Sequence, residues 1–548
     1  MKKLTSSFLF LLCSATVAET TLYFNVNGYT LDQDFNLLRF SAIQFTNDRV
    51  DALIKEQDPL LLEPDRRING NGQTMIPGLI DAHGHVLSYG LGLLRVNLVG
   101  AVSESEAAER VLDFAQANPA VEWIQGRGWN QVLWDSNEFP KAVSLDAVVN
   151  DRPVWLTRVD GHAAWANSVA MRLAGISDET EDPVGGQIMR DENGKATGVF
   201  VDTAMSFIRE QIPSMSFEEE KVALTAALNS LATYGITSVH DAGIGSSTLA
   251  AYKELVTEAP LPVRVYAMIS ASDPLYQDRL AEGFFHSEDM TFAVESVKVV
   301  ADGALGSRGA ALIEDYHDAP GYRGLLRYND ERLEYLMRAA MNADFQVATH
   351  AIGDSANMRV LDNYERLIKE TNSKSRRHRV EHAQILRYDD IVRFAELEVI
   401  PSMQATHATS DKNMAEDRLG PVRIQGAYAW RKLLDSGARI ANGSDFPVEH
   451  PNPFYGLHAS VTRQDQQSSP PDGWYAEESM TLEEALASFT IDAAYAGHQE
   501  EHLGTLEPGK KADFILLDRD IFALPPTQLW QTEVRETWVN GVRVSRQN

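Results

Sequence analysis

Two histidines separated by one glycine follow the apolar run Met75–Ala82, which has the pattern of a β-strand. Residues two apart on a strand share a face, so the imidazoles of His83 and His85 can reach one point. Imidazole is the commonest side-chain ligand for metal ions in proteins, and two of them side by side can hold one ion. The pair is a weak signal by itself, because such pairs also occur in polar loops.

Three other apolar runs end in residues of the same kind. One ends at His350, one at His382 and one at Asp445. In a (β/α)8 barrel, the carboxyl ends of the strands converge on one mouth. Four separate segments would then bring four histidines and one aspartate together. This convergence predicts a metal centre, and solvated surface residues would not explain it.

Lys298 stands inside the apolar run Val294–Asp302, where an ammonium group is costly to bury. A buried lysine is either paired or has its pKa lowered until it is neutral. A neutral lysine can react with carbon dioxide to give a carbamate, whose two oxygens can bridge two metal ions. The alternative is an ordinary ion pair with Glu295, Asp302 or Asp445.

The elements that must position these residues alternate between strands and helices over the middle of the chain. This alternation indicates an α/β fold with a parallel sheet, and about eight strand-like runs favour a (β/α)8 TIM-like barrel over an open sheet. The runs are Met75–Ala82, Pro153–Arg158, Ile236–His240, Ser296–Ala301, Gln346–His350, Arg379–His382, Val399–Ser402 and Arg439–Asp445.

The two ends of the chain have short strand patterns with turn signals and are each too small to bury a core. We therefore expect residues 19–75 and 504–548 to pair into one composite β-domain, a small β-sandwich. Residues 76–503 would form the barrel. A tryptophan-rich segment at about 125–214 is too long for simple connections and is predicted to be an insertion covering one end of the barrel.

The first 18 residues have the pattern of a secretory signal peptide. Lys2 and Lys3 precede the apolar run Leu4–Leu12, and small residues end at Ala18, before Glu19. We therefore expect an exported protein, periplasmic or secreted; a retained anchor is the alternative. This pattern is too short for a spanning helix with stop-transfer flanks.

Composition excludes several classes of protein. The chain of 548 residues has 49 basic and 78 acidic residues, a net charge of −29, so a nucleic acid or an anionic membrane is not an expected partner. Its one cysteine, Cys13, lies in the signal peptide, which excludes a thiol nucleophile and cysteine-bound zinc from the mature chain.

The order of these residues resembles the amidohydrolase superfamily of metal-dependent hydrolases: an HxH pair on the first strand, lysine on the fourth, histidine on the fifth and sixth and aspartate on the eighth. Longer stretches are similar to amidohydrolase family 3, the subgroup that contains N-substituted formamide deformylases, and the resemblance covers nearly the whole mature chain. These stretches are Met75–Val86, Gly126–Asn130, Asp160–Asn167, Lys298–Arg308, His350–Asp354, Gly443–Val448 and Leu506–Phe514.

The resemblance implies a metal-ligand set of His83, His85, Lys298, His350, His382 and Asp445. The first pair of histidines would hold the more buried ion with Lys298 and Asp445. His350 and His382 would hold a second ion, with Lys298 bridging if it is carboxylated. The alternative is one ion and an unmodified lysine. Zinc suits these ligands, and manganese or iron could occupy the same set.

The resemblance also implies a mechanism. A metal-activated hydroxide would attack a carbonyl carbon, with Asp445 as general base and then as general acid to the leaving nitrogen. The expected reaction is hydrolysis of a C–N bond in an amide, N-formyl or N-acyl compound that is not a peptide.

Other residues are predicted to act around this centre. His162, Arg308 and Trp129 are candidates to contact the substrate; the alternatives are a loop-fixing histidine, a surface ion pair and a core tryptophan. Asp81 and Glu381 neighbour the expected ligands and could orient their imidazoles by hydrogen bonding.

Three alternative functions stay open at this point. A deaminase or cyclic-amide hydrolase could use the same centre, since the residues around a site choose its substrate. A metal-binding regulatory protein without turnover is the second, although the base at Asp445 argues against it. A periplasmic solute-binding protein is the third. The expected partner is a small-molecule substrate, without nucleic acid or membrane, and a homodimer is compatible with a barrel of this size.

Overall fold

Eight parallel strands form the central sheet of the molecule, and they are called barrel strands one to eight below. The computed structural model describes residues 18–547 except 33, 56, 57, 59 and 160. Each barrel strand pairs with the next in parallel. In order, they are Leu79–Gly84, Ile236–Ile244, Arg264–Ser270, Phe292–Val300, Gln346–Ala351, Arg379–His382, Ile400–Gln404 and Ala441–Gly443. The short strand Phe285–His286 pairs antiparallel with the fourth.

The first and eighth barrel strands lie at the two edges of this sheet and meet, so the sheet is nearly closed. The backbone N–H of Asp445 donates to the carbonyl of His83 at 2.7 Å. The backbone N–H of Ser444 lies 3.1 and 3.2 Å from the two carboxylate oxygens of Asp81, and its hydroxyl donates to the same carboxylate at 2.6 Å. This is the α/β architecture expected of a TIM barrel.

The identity of two strands differs from the sequence prediction. The run Pro153–Arg158 forms a strand, Val154–Arg158, but it pairs outside the barrel sheet. The third barrel strand is Arg264–Ser270, which the prediction missed. An apolar run indicates a buried strand but does not specify the sheet in which the strand pairs, and that choice depends on tertiary contacts.

Helices cover the outside of the barrel and fill the connections. Helix Val86–Leu93 starts directly after His85 and packs on helix Phe217–Thr233. A Cβ at Gly90 would lie 1.9 Å from the carbonyl oxygen of Ala223, so only glycine permits this close crossing. The other α-helices of the described residues are Glu104–Ala117, Ala142–Asp146, Ser168–Leu173, Ser206–Arg209, Ser246–Glu258, Tyr276–Glu282, Asp330–Asn342, Asp354–Thr371, Tyr388–Leu397, Ala405–Asp411, Ala415–Arg423, Trp430–Asp435, Pro453–Thr462, Leu482–Ser488 and Ile491–Ala496.

Strands from both ends of the chain share a second, eight-stranded sheet. Its strands are Thr20–Leu31, Leu37–Thr46, Arg49–Ile54, Arg66–Asn69, Thr74–Pro77, Phe514–Leu517, Val534–Val539 and Val542–Arg546. Thr74–Pro77 and Phe514–Leu517 pair antiparallel and join the two ends. On one face, the rings of Phe514 and Trp538 stack with centroids 5.3 Å apart. The division into domains at residues 75 and 504, and a sandwich of two layers, stay predictions.

A third sheet lies within the stretch that connects the first and second barrel strands. Its six strands are Val96–Asn97, Ile124–Trp129, Val154–Arg158, Ala163–Ala166, Gly186–Arg190 and Ala196–Asp202. The sheet has its own apolar core, which includes Trp129, Trp134 and Trp165. The insertion was expected at about 125–214, and this sheet already contains a strand that precedes residue 125.

No helix in the described part of the chain combines the length and apolar character needed to span a membrane. Residues 1–17, which make up nearly all of the predicted signal peptide, lie outside the described residues. The cleavage site and the export of the protein therefore stay predictions.

Candidate metal centre

The carboxyl ends of the barrel strands bring the predicted ligands to one place. His85 Nε2 lies 3.1 Å from Asp445 Oδ1, and His83 Nε2 lies 3.7 Å from the same oxygen. Lys298 Nζ lies 3.1 Å from His83 Nε2. These side chains come from the first strand, the fourth strand and the end of the eighth. The expected order of ligands along the strands is the order in the structure.

The other two histidines complete the arrangement. The ring of His382 lies 4.8 Å from that of His83 and 4.5 Å from that of His350, measured between centroids. His350 Nε2 lies 3.5 Å from Asp302 Oδ1, and no hydrogen-bond partner for this nitrogen exists among the described residues. The Asp302 carboxylate itself accepts the backbone N–H groups of Ala311, Ile352 and Gly353.

Burial sets the protonation state of these imidazoles. It lowers the pKa of His83 to about 4 and that of His350 to about 3, and it lowers the pKa of His382 well below its usual value. All three rings are therefore neutral at neutral pH. A neutral imidazole offers a lone pair, which is the form that binds a metal ion.

Two of these rings have hydrogen-bond acceptors behind them. His83 Nδ1–H donates to Glu381 Oε2, and His382 Nδ1–H donates to Gln404 Oε1 at 2.7 Å. Each contact fixes the proton on Nδ1 and leaves the Nε2 lone pair directed towards the mouth. Of the two carboxylates predicted to orient imidazoles, Glu381 does so. Asp81 instead binds the backbone N–H of His83 and residue Ser444.

Arg379 supports Glu381 from below the mouth. Its Nε lies 2.7 Å from Glu381 Oε1, and its Nη2 donates to Ser402 Oγ at 2.8 Å. Its Nη1 donates to Nδ1 of His240 at 2.8 Å. Both members of the Arg379–Glu381 pair are fully buried. His240 is thus a partner of this arginine below the site.

Lys298 is 5% exposed, and burial lowers the pKa of its ammonium to about 8. A neutral fraction of this lysine is therefore accessible near neutral pH. The ion pair suggested as the ordinary alternative does not form: the contact of Lys298 Nζ is with the imidazole of His83.

The backbone is strained at two of the expected ligands. His382 has a φ of 74° and Asp445 a φ of 60°, both in the left-handed region that non-glycine residues rarely adopt. Such outliers cluster at functional sites, where the surrounding structure holds them in place. Burial alone would raise the pKa of the Asp445 carboxyl, but the contact with His85 and the nearby imidazole of His83 hold that pKa well below its usual range.

Sequence reasoning left one histidine near the centre without a function. His407 lies on helix Ala405–Asp411 after the seventh barrel strand, with Nε2 3.6 Å from Asp445 Oδ2. Its ring stacks on His382, with centroids 5.9 Å apart and an angle of 18°. In the sequence, the feature that could have identified His407 is its position three residues after Gln404, the last residue of the seventh barrel strand.

The predicted substrate-contacting residues lie elsewhere in the structure. Trp129 is 0% exposed and donates its indole N–H to the carbonyl of Leu156 at 2.7 Å. It fills the core of the six-stranded sheet, so in this structure it is a core residue and the predicted contact with substrate is not supported.

The other two predicted substrate contacts engage carboxylates. His162 is exposed, and its Nδ1 lies 2.8 Å from Asp202 Oδ1. Arg308 Nη2 donates to Asp318 at 2.8 Å. A role for these two residues in substrate binding stays a prediction.

The donor set fits a divalent metal ion. His83, His85 and Asp445 place one ligand atom each within 4.8 Å of one another, and so do His382, His407 and Asp445. Asp445 Oδ1 is buried and accepts no aligned hydrogen bond from the described residues. Buried polar atoms without partners are rare, and this oxygen lies 3.1 Å from His85 Nε2 and 3.7 Å from His83 Nε2. Neutral imidazoles and a carboxylate are ligands that zinc and similar ions bind.

Comparisons with known proteins agree with this geometry. A family model described as "Amidohydrolase family" matches residues 66–545. The chain is 36% identical to protein LONG AFTER FAR-RED 3 of Arabidopsis thaliana, over 82% of this chain and 79% of that protein. It is 25% identical to the N-substituted formamide deformylase of Arthrobacter pascens, over 87% of this chain and 90% of that protein.

A solved structure of a metal-dependent hydrolase is also similar to this chain. An uncharacterized metal-dependent hydrolase from Pyrococcus horikoshii matches with a TM-score of 0.76 and 26% identity, over 93% of this chain and 99% of that chain. The family match covers most of the sequence, and the strand ends gather histidine and aspartate groups that can hold a metal ion. The chain therefore belongs to the amidohydrolase family and is a metal-dependent hydrolase.

Proposed function

We propose that the protein hydrolyses a C–N bond in an amide, N-formyl or N-acyl compound that is not a peptide. The observation that carries the proposal is the placement of Asp445. One carboxylate oxygen faces His83 and His85, and the other faces His407. A buried carboxylate beside imidazoles can serve both as a ligand and as a base. The similarity to an N-substituted formamide deformylase supports the choice of bond.

The residues that would hold the metal are those at the mouth. His83, His85 and Asp445 would bind one ion, and His350 with His382 would bind a second. Lys298 would lie between them as a carbamate if it is carboxylated. When bound, such an ion polarises the scissile carbonyl and lowers the pKa of water. We expect zinc, because it accepts this mixture of imidazole and carboxylate ligands.

Asp445 would move one proton through the reaction. It would accept a proton from the attacking water as the C–O bond forms. It would return that proton to the nitrogen as the C–N bond breaks, so that the products are a carboxylic acid and an amine. The pKa of its carboxyl is held well below the usual range, so Asp445 is ionised and able to accept a proton at neutral pH.

The number of metal ions in the centre would depend on whether Lys298 is carboxylated. Its pKa of about 8 leaves enough neutral amine for attack on carbon dioxide, in which the N–C bond forms and one proton is released. Glu381 and Arg379 would meanwhile keep the imidazole of His83 in place, since Glu381 accepts its Nδ1–H. An unmodified lysine would leave a site for one ion.

Metal content and product analysis test the proposal together. Elemental analysis of the purified protein and of Lys298→Ala should give about two ions per chain in the parent and fewer in the variant. About one ion in both would remove the lysine bridge and leave a one-metal hydrolase. Failure to bind metal even after reconstitution would sink the catalytic proposal.

Activity is then measured on a panel of N-formyl and N-acyl amines, with a chelator as control. The proposal requires carboxylic acid and amine in equal amounts. Release of ammonia from amino-substituted rings, without hydrolysis of the panel, would instead identify a deaminase.

A further inference from the structure

His407 differs from His83 and His382 in the ring nitrogen that carries the proton. We propose that His407 is not a metal ligand but a hydrogen-bond donor to the substrate, through Nε2–H. The inference rests on the proposed function, because it places this donor against the carbonyl oxygen of the acyl compound. It also assigns a role to a residue that the family-based ligand set leaves out.

The contrast begins with the groups behind each ring. Glu381 Oε2 behind His83 and Gln404 Oε1 behind His382 are both acceptors. The orientation of the Gln404 amide is fixed, because its Nε2 donates to the carbonyl of Ser402 at 3.2 Å. Both rings therefore carry their proton on Nδ1 and present a bare Nε2 to the mouth.

The group behind His407 is a donor. The amide nitrogen of Gln384 lies 3.3 Å from His407 Nδ1, and both side chains are buried. The same amide nitrogen lies 3.5 Å from Asp411 Oδ2, which also accepts the hydroxyl proton of Tyr428 at 2.5 Å. A carboxylate attracts the N–H end of an amide, so Asp411 sets the orientation of Gln384. His407 Nδ1 must then accept, so the ring proton lies on Nε2.

This Nε2–H points into the centre and has no partner. It lies 3.6 Å from Asp445 Oδ2, which is longer than a hydrogen bond, and no acceptor for it exists in the described part of the chain. A buried donor without a partner is costly and rare. The substrate is the species that can supply the missing acceptor. Its carbonyl oxygen would lie next to Asp445, where the proton transfer takes place.

A donor in this position favours the transition state. The carbonyl oxygen gains negative charge as water adds to the carbon, so a fixed N–H stabilises it more than it stabilises the ground state. Removal of such a donor lowers kcat by about 10²- to 10³-fold in other hydrolases. A ligand role predicts a different result, because loss of a ligand reduces metal content.

The test compares His407→Phe with His407→Gln. Phenylalanine keeps a ring and removes the donor, whereas the glutamine amide restores an N–H near the position of Nε2. We expect unchanged metal content in both, a kcat about 10²-fold lower in His407→Phe, and partial recovery in His407→Gln. Loss of metal in either variant would make His407 a ligand. An unchanged kcat in His407→Phe would also overturn the proposal.

The tautomer can be measured without any substrate. ¹⁵N-histidine labelling of the metal-loaded parent, assigned with His407→Phe, should show that Nε2 of His407 is protonated and Nδ1 is not. In Gln384→Glu, the carboxylate would accept instead of donate, so the proton should move to Nδ1. A bare Nε2 in the parent would overturn the inference. A parent that binds metal but hydrolyses none of the panel would count against the proposed function alone. Melting curves identify variants that fail to fold.

Discussion

The two ends of the barrel bury charge in opposite ways. At the amino end, Arg264 begins the third barrel strand and is 1% exposed. Its Nε and Nη2 donate to the two oxygens of Asp513 at 2.8 and 3.1 Å, and its Nη1 donates to the carbonyl of Met290 at 2.8 Å. Asp513 also accepts the backbone N–H of Asn540 at 2.7 Å. Each charge here has a partner, and the pair joins the barrel to the terminal sheet.

At the carboxyl end, three buried polar atoms lack a hydrogen-bond partner among the described residues. They are Nε2 of His350, Nε2 of His407 and Oδ1 of Asp445. Lys298 lies beside an imidazole rather than a carboxylate. The difference shows how one barrel separates two tasks. The paired charges at one end join the barrel to the terminal sheet, and the polar atoms without partners at the other end are available to a metal ion and a substrate.

The largest effect should come from Asp445→Asn. We expect kcat/KM to fall by about 10³-fold, because the variant lacks the proposed base. The free energy of unfolding should change little, since asparagine tolerates the left-handed backbone of this position. Metal content is measured alongside, and Asp315→Asn, which removes a partner of Arg323 in an exposed ion pair, is the control. Retained activity in Asp445→Asn would show that the unpartnered carboxylate at the carboxyl end is not needed for turnover.

Arg264→Met should lower stability and leave activity unchanged, which is the reverse of the effect expected for Asp445→Asn. Asp513 would be left buried without its partner, so the free energy of unfolding should fall by about 3–5 kcal/mol in urea titrations. The turnover number per folded molecule should stay the same. The double variant with Asp513→Leu should recover part of the loss, as an unpaired charge no longer remains. A loss of activity without a loss of stability in Arg264→Met would contradict a purely structural role for this ion pair.

Glu381→Gln tests a carboxylate that both orients a predicted metal ligand and forms a buried ion pair. It holds His83 in place and is paired with Arg379, so we expect metal affinity to fall by about 10- to 100-fold in competition with a chelator. Glu295→Gln is a matched control, because Glu295 pairs with His286 outside the centre. Equal metal affinity in the two variants would show that the orientation of His83 does not depend on this carboxylate.

The smallest effect concerns pH. Burial raises the pKa of Asp492 to about 7, although Arg439 lies 3.4 Å away. The folded state therefore retains a proton that the unfolded chain releases from about pH 4 upwards, and stability falls as the pH rises between about 4 and 7. Asp492→Asn should reduce the difference in melting temperature between pH 4 and pH 8. An unchanged difference would show that Arg439 keeps this carboxylate ionised.

The sequence predicts the part of the site that depends on periodicity. The residues predicted as ligands lie together because the carboxyl ends of barrel strands converge on one mouth. His407 was missed because it lies on a helix, and its distance from Asp445 depends on the connection after the seventh strand. The role of Trp129 depended on whether its neighbours cover it, which composition does not specify. Likewise, the strand at 154–158 has a barrel-like pattern, but its partners lie in another sheet.

The link between Asp81 and Ser444 joins residues 363 positions apart in the chain. During translation, His83 and His85 leave the ribosome long before Asp445 is synthesised. If His83, His85 and Asp445 hold the ion as proposed, the carboxylate that completes the group is synthesised only after the eighth strand. Under that proposal, loading of the centre is tied to the last steps of barrel closure, and a truncated chain that ends before residue 445 has no complete site in which to retain the ion.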